Sequence, residues 1–454
     1  MFESRASAWG ETFMQIAAAD HLLVLPVPFR QVDGQLFVEH QAAHGLLCWR
    51  QHFESLIIAA PVLPETGVTQ ERLREIAWVP AAALVSNVQL VPLPWAYRLR
   101  DYLKHRRTVQ ATLTECIRQS RYLQFAIGGL HGDWAATAAQ IAQRLDRPYA
   151  VHMDRVEHEV IRLNSRQAGM SRRLRNMFVS PLMRRFHANI IRNASVSLCH
   201  GADCLAAYRH LNVHSHLVHN IHLEAADVAS HDDTFAKAAR IADERPDEEL
   251  SLVYSGRAVA DKAPLEWLHA LGLLKASGTK FRATWLGEGD LRTQAIEQCR
   301  ALGLADCVAF PGFESDRAKV LAAIQQAHMF VFTHITPESP RCLVESLLMG
   351  TPIIGYESAY AHDLIREHGG GQLVSCHDVR SLAMAIAKLG ASRPLLADLT
   401  RRARRDAGQL DAESVFAHRS RLIKQYAGVR REPPAAPETP PPAIVTARFV
   451  QRPV

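Results

Sequence analysis

The chain has 454 residues, of which 48% are apolar and 22% are charged. This length can form two or three domains with substantial cores, and the composition excludes a largely disordered chain. The net charge is only +6 with neutral histidines, so local clusters of charge are more informative than the total.

The eight cysteines show no CxxC pair and no spacing typical of a small disulfide-bonded domain, which predicts a reduced, cytoplasmic protein. The amino terminus lacks the basic start and apolar run of a secretory signal. The most apolar long stretch, residues 77–97, is interrupted by three prolines and two side-chain amides. We therefore predict no membrane span, and any membrane contact is expected to be peripheral.

In the first half, short apolar runs alternate with longer segments of helical character. This alternation is typical of a parallel α/β sheet and predicts a Rossmann-like lobe over residues 1–222. The acidic segment 223–248 predicts an exposed linker. The predicted strands are residues 21–27, 55–59, 122–127, 148–152 and 195–198.

Residues 155–192 include a basic helical segment in which arginines such as Arg175 and Arg185 alternate with Leu174, Phe178 and Leu182. Such a helix could lie on an anionic membrane surface. The alternative is an ordinary solvated helix of an arginine-rich protein. No recognised nucleic-acid motif is present, so no nucleic-acid partner is expected.

The second half repeats the alternation six times, which predicts a second parallel α/β lobe over residues 249–412. The proline-dense segment 429–454 predicts a disordered tail. The predicted strands are residues 250–254, 281–286, 307–310, 329–333, 352–355 and 372–375.

Glycine turns follow the first three of these strands, where open α/β sheets bind their ligands. They contain Gly256-Arg257 with Lys262 downstream, Gly287-Glu288-Gly289, and Gly312-Phe313. The planar guanidinium and the compact ammonium both suit phosphate oxygens. Plain tight turns and solvated cations are the alternative interpretation.

The segment 337–352 combines a helix start with two glutamates, Glu338 and Glu345. Ser339 is expected to cap this helix and Pro340 to open it. The next amides, of Arg341 and Cys342, would then be free for a phosphate. The alternative is an ordinary capped helix with a surface pair between Arg341 and Glu345.

These motifs resemble the signature of the retaining group 1 glycosyltransferases. Six residues separate Glu338 from Glu345, where the family has seven, and Pro340 and Arg341 stand where a glycine is usual. The resemblance covers about residues 250 to 390. It implies the α/β GT-B fold, in which two Rossmann-like lobes with parallel sheets face an interlobe cleft. It also suggests that a helix over residues 413–428 returns to the first lobe.

The resemblance also implies roles for individual residues. The catalytic set would be Arg257 and Lys262 at the leaving diphosphate, Glu338 at a hydroxyl of the transferred sugar, and His152 near the reacting carbon, with Asp154 as the alternative to His152. The donor-binding set would be Glu345 at the ribose, Arg341 and Cys342 at the phosphates, Gly287 and Gly289 at close approach, and Gly312 and Phe313 at the base. Gly34 would belong to the acceptor loop.

The function implied is transfer of a hexose from a UDP- or GDP-sugar to a carbohydrate or lipid-linked acceptor, in surface polysaccharide or glycolipid synthesis. No Asp-x-Asp motif occurs in the second lobe, so neither a metal nor another cofactor is expected. Two alternatives remain: an enzyme like UDP-N-acetylglucosamine 2-epimerase, or a non-catalytic GT-B protein that binds a partner.

Overall fold

The fold is taken from a computed structural model, which describes residues 15–64, 77–81, 87–130, 132–165, 169–366, 368–408 and 410–428. Within these residues the chain forms two lobes, each built on a parallel sheet. The proline-dense segment 429–454 lies outside the described residues.

The first lobe is built on a seven-stranded parallel sheet with the order β10-β9-β8-β7-β1-β4-β6. Every residue of β4 is buried, as expected for a strand covered on both faces. A small antiparallel sheet, β2-β3-β5, is attached to this lobe. The strands are β1 Ala19–Val24, β2 Arg30–Val32, β3 Gln35–Glu39, β4 Leu56–Pro61, β5 Trp78–Pro80, β6 Val88–Leu93, β7 Ser120–Ala126, β8 Ala150–Met153, β9 Val196–His200 and β10 Ser215–Val218.

The second lobe is built on a six-stranded parallel sheet with the order β13-β12-β11-β14-β15-β16. Since the carboxyl ends of parallel strands meet at one edge, the loops that follow these strands are neighbours. The strands are β11 Leu250–Ser255, β12 Phe281–Leu286, β13 Val308–Gly312, β14 Met329–Phe332, β15 Ile353–Tyr356 and β16 Gly371–Val374.

Helices cover both sheets. In the first lobe they are α1 His40–Arg50, α2 Leu99–Gln119, α3 Trp134–Arg144, α4 Glu157–Asn164, α5 Met170–Arg192 and α6 Gly201–Tyr208. The remaining helices are α7 His231–Asp243, α8 Pro264–Ala276, α9 Arg292–Ala301, α10 Arg317–Gln326, α11 Arg341–Leu348, α12 Ala359–Ile365, α13 Val379–Ala391, α14 Arg393–Ala407 and α15 Ala412–Tyr426.

The predicted fold class is confirmed: two parallel α/β sheets form two lobes. The prediction missed strands β6 and β10 and the antiparallel sheet β2-β3-β5. Strand β6 lies in an apolar stretch, but it contains Pro92 and is followed by Pro94, and proline is unusual within a strand. Strand β10 has only four residues, so its apolar signal is weak.

The segment 223–248 is not simply an exposed linker. It contains helix α7, which begins with a capping box between Ser230 and Asp233 and buries Ala238 and Ile241. Its end is attached to the second lobe because Glu244 lies 3.0 Å from His328 and 3.4 Å from the buried Arg393. The acidic residues that suggested exposure lie on the solvent side of an amphipathic helix.

Helix α15, near the end of the described chain, packs on the first lobe. The ring of Phe416 meets that of Trp49 edge-on, with 5.1 Å between centroids. The guanidinium of Arg419 lies 4.7 Å above the ring of Trp49. Ala427, just after the helix, is fully buried. The chain therefore crosses between the lobes twice.

The buried ammonium of Lys237 attaches α7 to the end of α11, donating to the Gly350 carbonyl at 3.2 Å and to Thr351 Oγ1 at 2.7 Å. Burial lowers the pKa of Lys237 to about 7. The unfolded lysine titrates near pH 10.4, so between these values the unfolded chain binds more protons than the folded one. Lys237 therefore makes the free energy of unfolding rise with pH across this window.

We predict that the free energy of unfolding of the wild-type protein, minus that of Lys237→Met, rises by about 1 kcal/mol or more from pH 7.5 to 9.5. Urea unfolding at a series of pH values measures this difference. Lys319→Met is the control, since the side chain of Lys319 is 69% exposed, and it should give a difference that does not vary with pH. A constant difference for Lys237→Met would contradict the titration of the buried ammonium.

Candidate functional site

Three glycine loops lie side by side at the carboxyl edge of the second-lobe sheet. The Gly256 amide donates to the Leu286 carbonyl at 2.9 Å, and the Gly287 amide donates to the Gly312 carbonyl at 2.8 Å. The Ala258 amide donates to the Glu288 carbonyl at 2.8 Å. These hydrogen bonds join the turns after β11, β12 and β13 into one surface.

Glycine is required where these loops touch. Gly287 has a φ of +148°, and a Cβ there would lie 2.2 Å from the Gly256 carbonyl oxygen. Gly312 has a φ of +93°, and a Cβ there would lie 2.3 Å from Glu288 Oε1. Gly289 approaches the backbone of Ala258 in the same way. The loop packing alone thus explains these glycines, and their contact with a donor stays a prediction.

Arg257 projects from the first of these loops and is exposed. Within the part of the chain that the structure describes, its guanidinium has no carboxylate partner. Its charge acts on the buried Tyr254, whose hydroxyl lies 2.8 Å from His334 Nε2. Burial raises the pKa of Tyr254 well above its ordinary value, so this phenol remains neutral. Arg257 is therefore a cation at the sheet edge that can still bind an anion.

Lys262 and Glu338, predicted from separate motifs, form an ion pair between Nζ and Oε1. Their side chains are only 11% and 17% exposed. The loops that carry them are joined by two further hydrogen bonds: the Ile335 amide donates to the Asp261 carbonyl at 3.1 Å, and Thr333 Oγ1 donates to the Lys262 carbonyl at 2.8 Å. The structure thus brings both predicted residues to one point.

Helix α11 begins one residue later than expected. Pro340 is its N-cap, and no side chain caps the helix. Ser339, the predicted cap, instead donates its hydroxyl hydrogen to the His200 carbonyl of the first lobe at 2.6 Å. The prediction for Ser339 was wrong because a better acceptor lies across the lobe boundary. The amides of Arg341 and Cys342 remain in the first turn, where the helix dipole favours an anion.

Glu345 is 7% exposed, and its Oε1 lies 2.5 Å from Nη2 of Arg317. The alternative pair between Glu345 and Arg341 is therefore wrong. Arg317 opens α10 behind the N-cap Asp316, and no sequence motif marked it. The partly buried Arg341 instead has its charge close enough to His222 of the first lobe to lower the pKa of that histidine, in addition to the larger effect of burial.

The thiol of Cys342 is partly buried, and burial raises its pKa to about 12. It is therefore a neutral thiol at physiological pH, so only its backbone amide is suited to a phosphate.

His152 ends β8 and is 5% exposed, and burial lowers its pKa to about 3. Asp154 Oδ1 lies 3.4 Å from His152 Nε2 and 3.4 Å from His200 Nδ1. Both candidates for this position, His152 and Asp154, thus occupy one cluster. Arg419 of α15 completes it, with Nη2 3.4 Å from His152 Nδ1. Arg419 gave no signal in the sequence, since it lies 267 residues from its partner.

The two clusters face one another across the lobe boundary. A single antiparallel β-bridge joins Arg155 to Glu338. Asp203 Oδ2 accepts a hydrogen bond of 2.9 Å from the Tyr360 amide. His152 lies at the carboxyl edge of the first sheet. This edge therefore meets the loop that contains Glu338, the partner of Lys262. Lys262 and Glu338 of the second lobe therefore lie next to the chain segment that follows His152 in the first lobe.

The structure says less about the predicted roles of Gly34 and Phe313. Gly34 has a φ of +78° and follows Asp33, which has a φ of +48°, so the pair forms the two-residue turn of the β2–β3 hairpin. Hairpin geometry explains this glycine, and its role in an acceptor loop stays a prediction. Phe313 is 45% exposed beside the third glycine loop.

A family model and several known proteins are similar to this chain. Residues 236–406 match the model of the glycosyl transferases group 1 family. This part of the chain is therefore similar to the group 1 glycosyltransferases. The match covers the second-lobe sheet and the later part of helix α7, and so includes every predicted site residue except His152, Gly34 and Asp154.

Two curated proteins that are similar to parts of this chain act in polysaccharide synthesis. The lipopolysaccharide core biosynthesis glycosyltransferase LpsE of Rhizobium meliloti is 27% identical over 131 residues, or 29% of this chain and 38% of that protein. The Vi polysaccharide biosynthesis protein VipC/TviE of Salmonella typhi is 28% identical over 98 residues, or 22% of this chain and 16% of that protein. The chain thus matches well under half the length of either relative.

The fold of this chain is similar to that of solved GT-B glycosyltransferases. HepE of Anabaena in complex with UDP gives a TM-score of 0.61 with 14% identity, covering 89% of this chain and 100% of that one. This likeness extends over both lobes and supports the GT-B fold. Among the described residues, no three His, Cys, Asp or Glu side chains are grouped to hold a metal ion. None of the described helices combines the length and apolar character that a membrane span requires.

The lobe boundary depends on Gly201, which opens α6 with a φ of +79°. A Cβ there would lie 1.9 Å from Ser339 Oγ and 2.6 Å from the ring of Tyr360. Gly278 has a similar φ of +81°, but a Cβ there would have no neighbour within 4 Å. The two glycines therefore differ in steric contact and not in backbone conformation.

We predict that Gly278→Ala lowers the free energy of unfolding by about 1–2 kcal/mol through backbone strain alone. Gly201→Ala should lower it by about 1–3 kcal/mol more, because the added methyl group forces the lobes apart. Urea unfolding of both variants measures the difference. Equal losses of unfolding free energy in the two variants would mean that the residues around Ser339 move aside without a cost in stability.

Proposed function

We propose that this protein is a group 1 glycosyltransferase that moves a hexose from a UDP- or GDP-sugar to a carbohydrate or lipid-linked acceptor, with retention of configuration. The observation that carries the proposal is the convergence of Lys262, Glu338 and the first turn of α11 at the crevice between the lobes. HepE has been solved with UDP and with UDP-glucose, so UDP is the first nucleotide to test. LpsE and VipC/TviE support a place in surface polysaccharide synthesis.

Bond cleavage at the sugar carbon builds negative charge on the departing diphosphate. Arg257, Lys262 and the free amides of Arg341 and Cys342 can stabilise that charge, so the mechanism assigns this role to the protein rather than to a metal. In the free protein Lys262 is neutralised by Glu338. A bound diphosphate would take over the ammonium, and Glu338 would turn to a hydroxyl of the sugar.

The remaining residues position the donor. The Glu345 carboxylate suits the two adjacent hydroxyls of a ribose and would exchange part of its contact with Arg317 for them. His152 is neutral, so it can donate or accept a hydrogen bond at a sugar hydroxyl without adding charge near the reacting carbon. The acceptor hydroxyl would attack on the face that the nucleotide leaves, and the departing phosphate would help to take its proton. The eight unpaired cysteines favour a reducing compartment, as in the cytoplasm.

We predict that Arg257→Ala lowers kcat/KM at least about a hundredfold, because a cation at the leaving diphosphate is lost. Incubation with labelled UDP- and GDP-sugars measures transfer, slow hydrolysis or epimer formation. The control is Arg282→Ala, since Arg282 is a 71% exposed arginine of the same lobe, and it should keep full activity. Unchanged turnover of Arg257→Ala would remove this residue from the mechanism, and epimer formation would favour a 2-epimerase instead.

We predict that Glu345→Gln weakens UDP binding about tenfold, because charge-assisted hydrogen bonds to the ribose are lost. Binding of 2′-deoxy-UDP should weaken much less, since one of the two hydroxyls is already absent. Calorimetric titration with both nucleotides tests the assignment, and Glu249→Gln, at a half-exposed surface carboxylate, is the control. The same loss for both nucleotides would indicate that Glu345 only supports the fold through Arg317.

A further inference from the structure

Helix α5 has an apolar face that packs against nothing in the described structure. Met170, Leu174, Met177, Phe178 and Leu182, here called the outer stripe, follow the spacing i, i+4, i+7, i+8, i+12 and so share one face of the helix. Their exposures are 71%, 53%, 60%, 71% and 52%. The stripe is about 18 Å long at 1.5 Å per residue. Among the other residues that the structure describes, exposed apolar side chains such as Val213 and Met384 do not form such a row on one helix.

The opposite face of α5 holds the helix firmly on the first lobe. Met183, His187 and Ile190 are buried there. Asn176 Nδ2 donates to Ser165 Oγ at 2.8 Å, and Ser180 Oγ donates to the His158 carbonyl at 2.8 Å. These contacts fix the rotation of the helix. The outer stripe therefore points outward because the helix is anchored on its other side.

Arginines flank the outer stripe on the same helix. The helix sequence contains six arginines and no aspartate or glutamate. Arg173 and Arg184 lie to one side of the stripe and Arg175 to the other, and Arg185 lies within it, as the helical repeat places them. All four are exposed. An apolar centre with cationic borders is the arrangement of helices that lie in the plane of a membrane interface.

We propose that the outer stripe of α5 docks the protein on a bilayer that contains anionic lipids. The apolar side chains enter the boundary between headgroups and acyl chains, and the arginines contact the lipid phosphates. A second copy fits the stripe less well, because a twofold contact would bring two sets of arginines together with no acidic partner on the helix. Nucleic acid fits less well too, since bulky aliphatic side chains occupy the centre of the surface where phosphates would lie.

The position of α5 gives this docking a consequence for the crevice. His187 of α5 lies 3.2 Å from the Gly129 carbonyl, in the loop that follows β7 at the carboxyl edge of the first sheet. Docking through α5 would hold that edge near the headgroups. The docking does not depend on the transferase activity, and it would suit an acceptor carried on a lipid.

Co-sedimentation of the full chain with vesicles tests the proposal. We expect binding to vesicles of phosphatidylcholine mixed with phosphatidylglycerol, much weaker binding to phosphatidylcholine alone, and release by salt. Arg184→Gln combined with Arg185→Gln should weaken binding roughly 25-fold, given about fivefold per arginine. Leu174→Ser combined with Phe178→Ser should weaken it roughly a hundredfold, because both inserted side chains are lost.

The control is Phe235→Ser combined with Met384→Ser, which removes two exposed apolar side chains from other helices and should leave binding unchanged. Circular dichroism and melting curves of each variant report on folding, and the surface substitutions should preserve both. Equal binding by all variants would overturn the proposal. So would a stable dimer in sedimentation velocity that Leu174→Ser with Phe178→Ser converts to a monomer, because the stripe would then be a protein interface.

Discussion

The ion pair between Lys262 and Glu338 is the interaction on which the architecture of the crevice depends. It joins the loop after β11 to the loop after β14, and the second of these loops also touches the first lobe through Arg155 and Ser339. Removing one partner of a largely buried pair leaves an uncompensated charge, at a cost of about 3–5 kcal/mol. The free protein avoids that cost by holding a carboxylate where a phosphate is proposed to bind. An incoming diphosphate therefore replaces one anion with another and does not have to enter an empty cationic site.

The second lobe could be predicted largely from the sequence, because its strands are marked by patterns of neighbouring residues. Its six strands are short apolar runs bounded by glycine turns, and each turn is followed by a helix. Because a parallel sheet places all the carboxyl ends at one edge, the residues after the strands had to be neighbours. Strand ends and glycine turns pointed to Arg257 and Lys262, and the resemblance to the group 1 family pointed to Glu338. Of these three residues, the structure pairs Lys262 with Glu338.

What the sequence did not reveal are contacts between distant segments. Ser339 has every property of a helix cap, yet its hydroxyl bonds to His200, 139 residues away. Arg317 and Arg419 resemble ordinary helical arginines, and only the folded chain shows that they face Glu345 and His152. The helix in residues 223–248 was missed because its acidic surface obscured a few buried apolar positions. In each case the structure of the residue or segment depends on a tertiary contact that the local sequence pattern does not indicate.

Helix α15 has a consequence for how the protein is made. Phe416 and Arg419 close the first lobe over Trp49, although they come after the whole second lobe in the chain. During synthesis the amino-terminal half leaves the ribosome first, but its core stays incomplete until residues 412–426 have been translated. The contacts of Trp49 with Phe416 and Arg419 can therefore form only after the whole second lobe has been translated, and the last helix completes both the first lobe and the surroundings of His152.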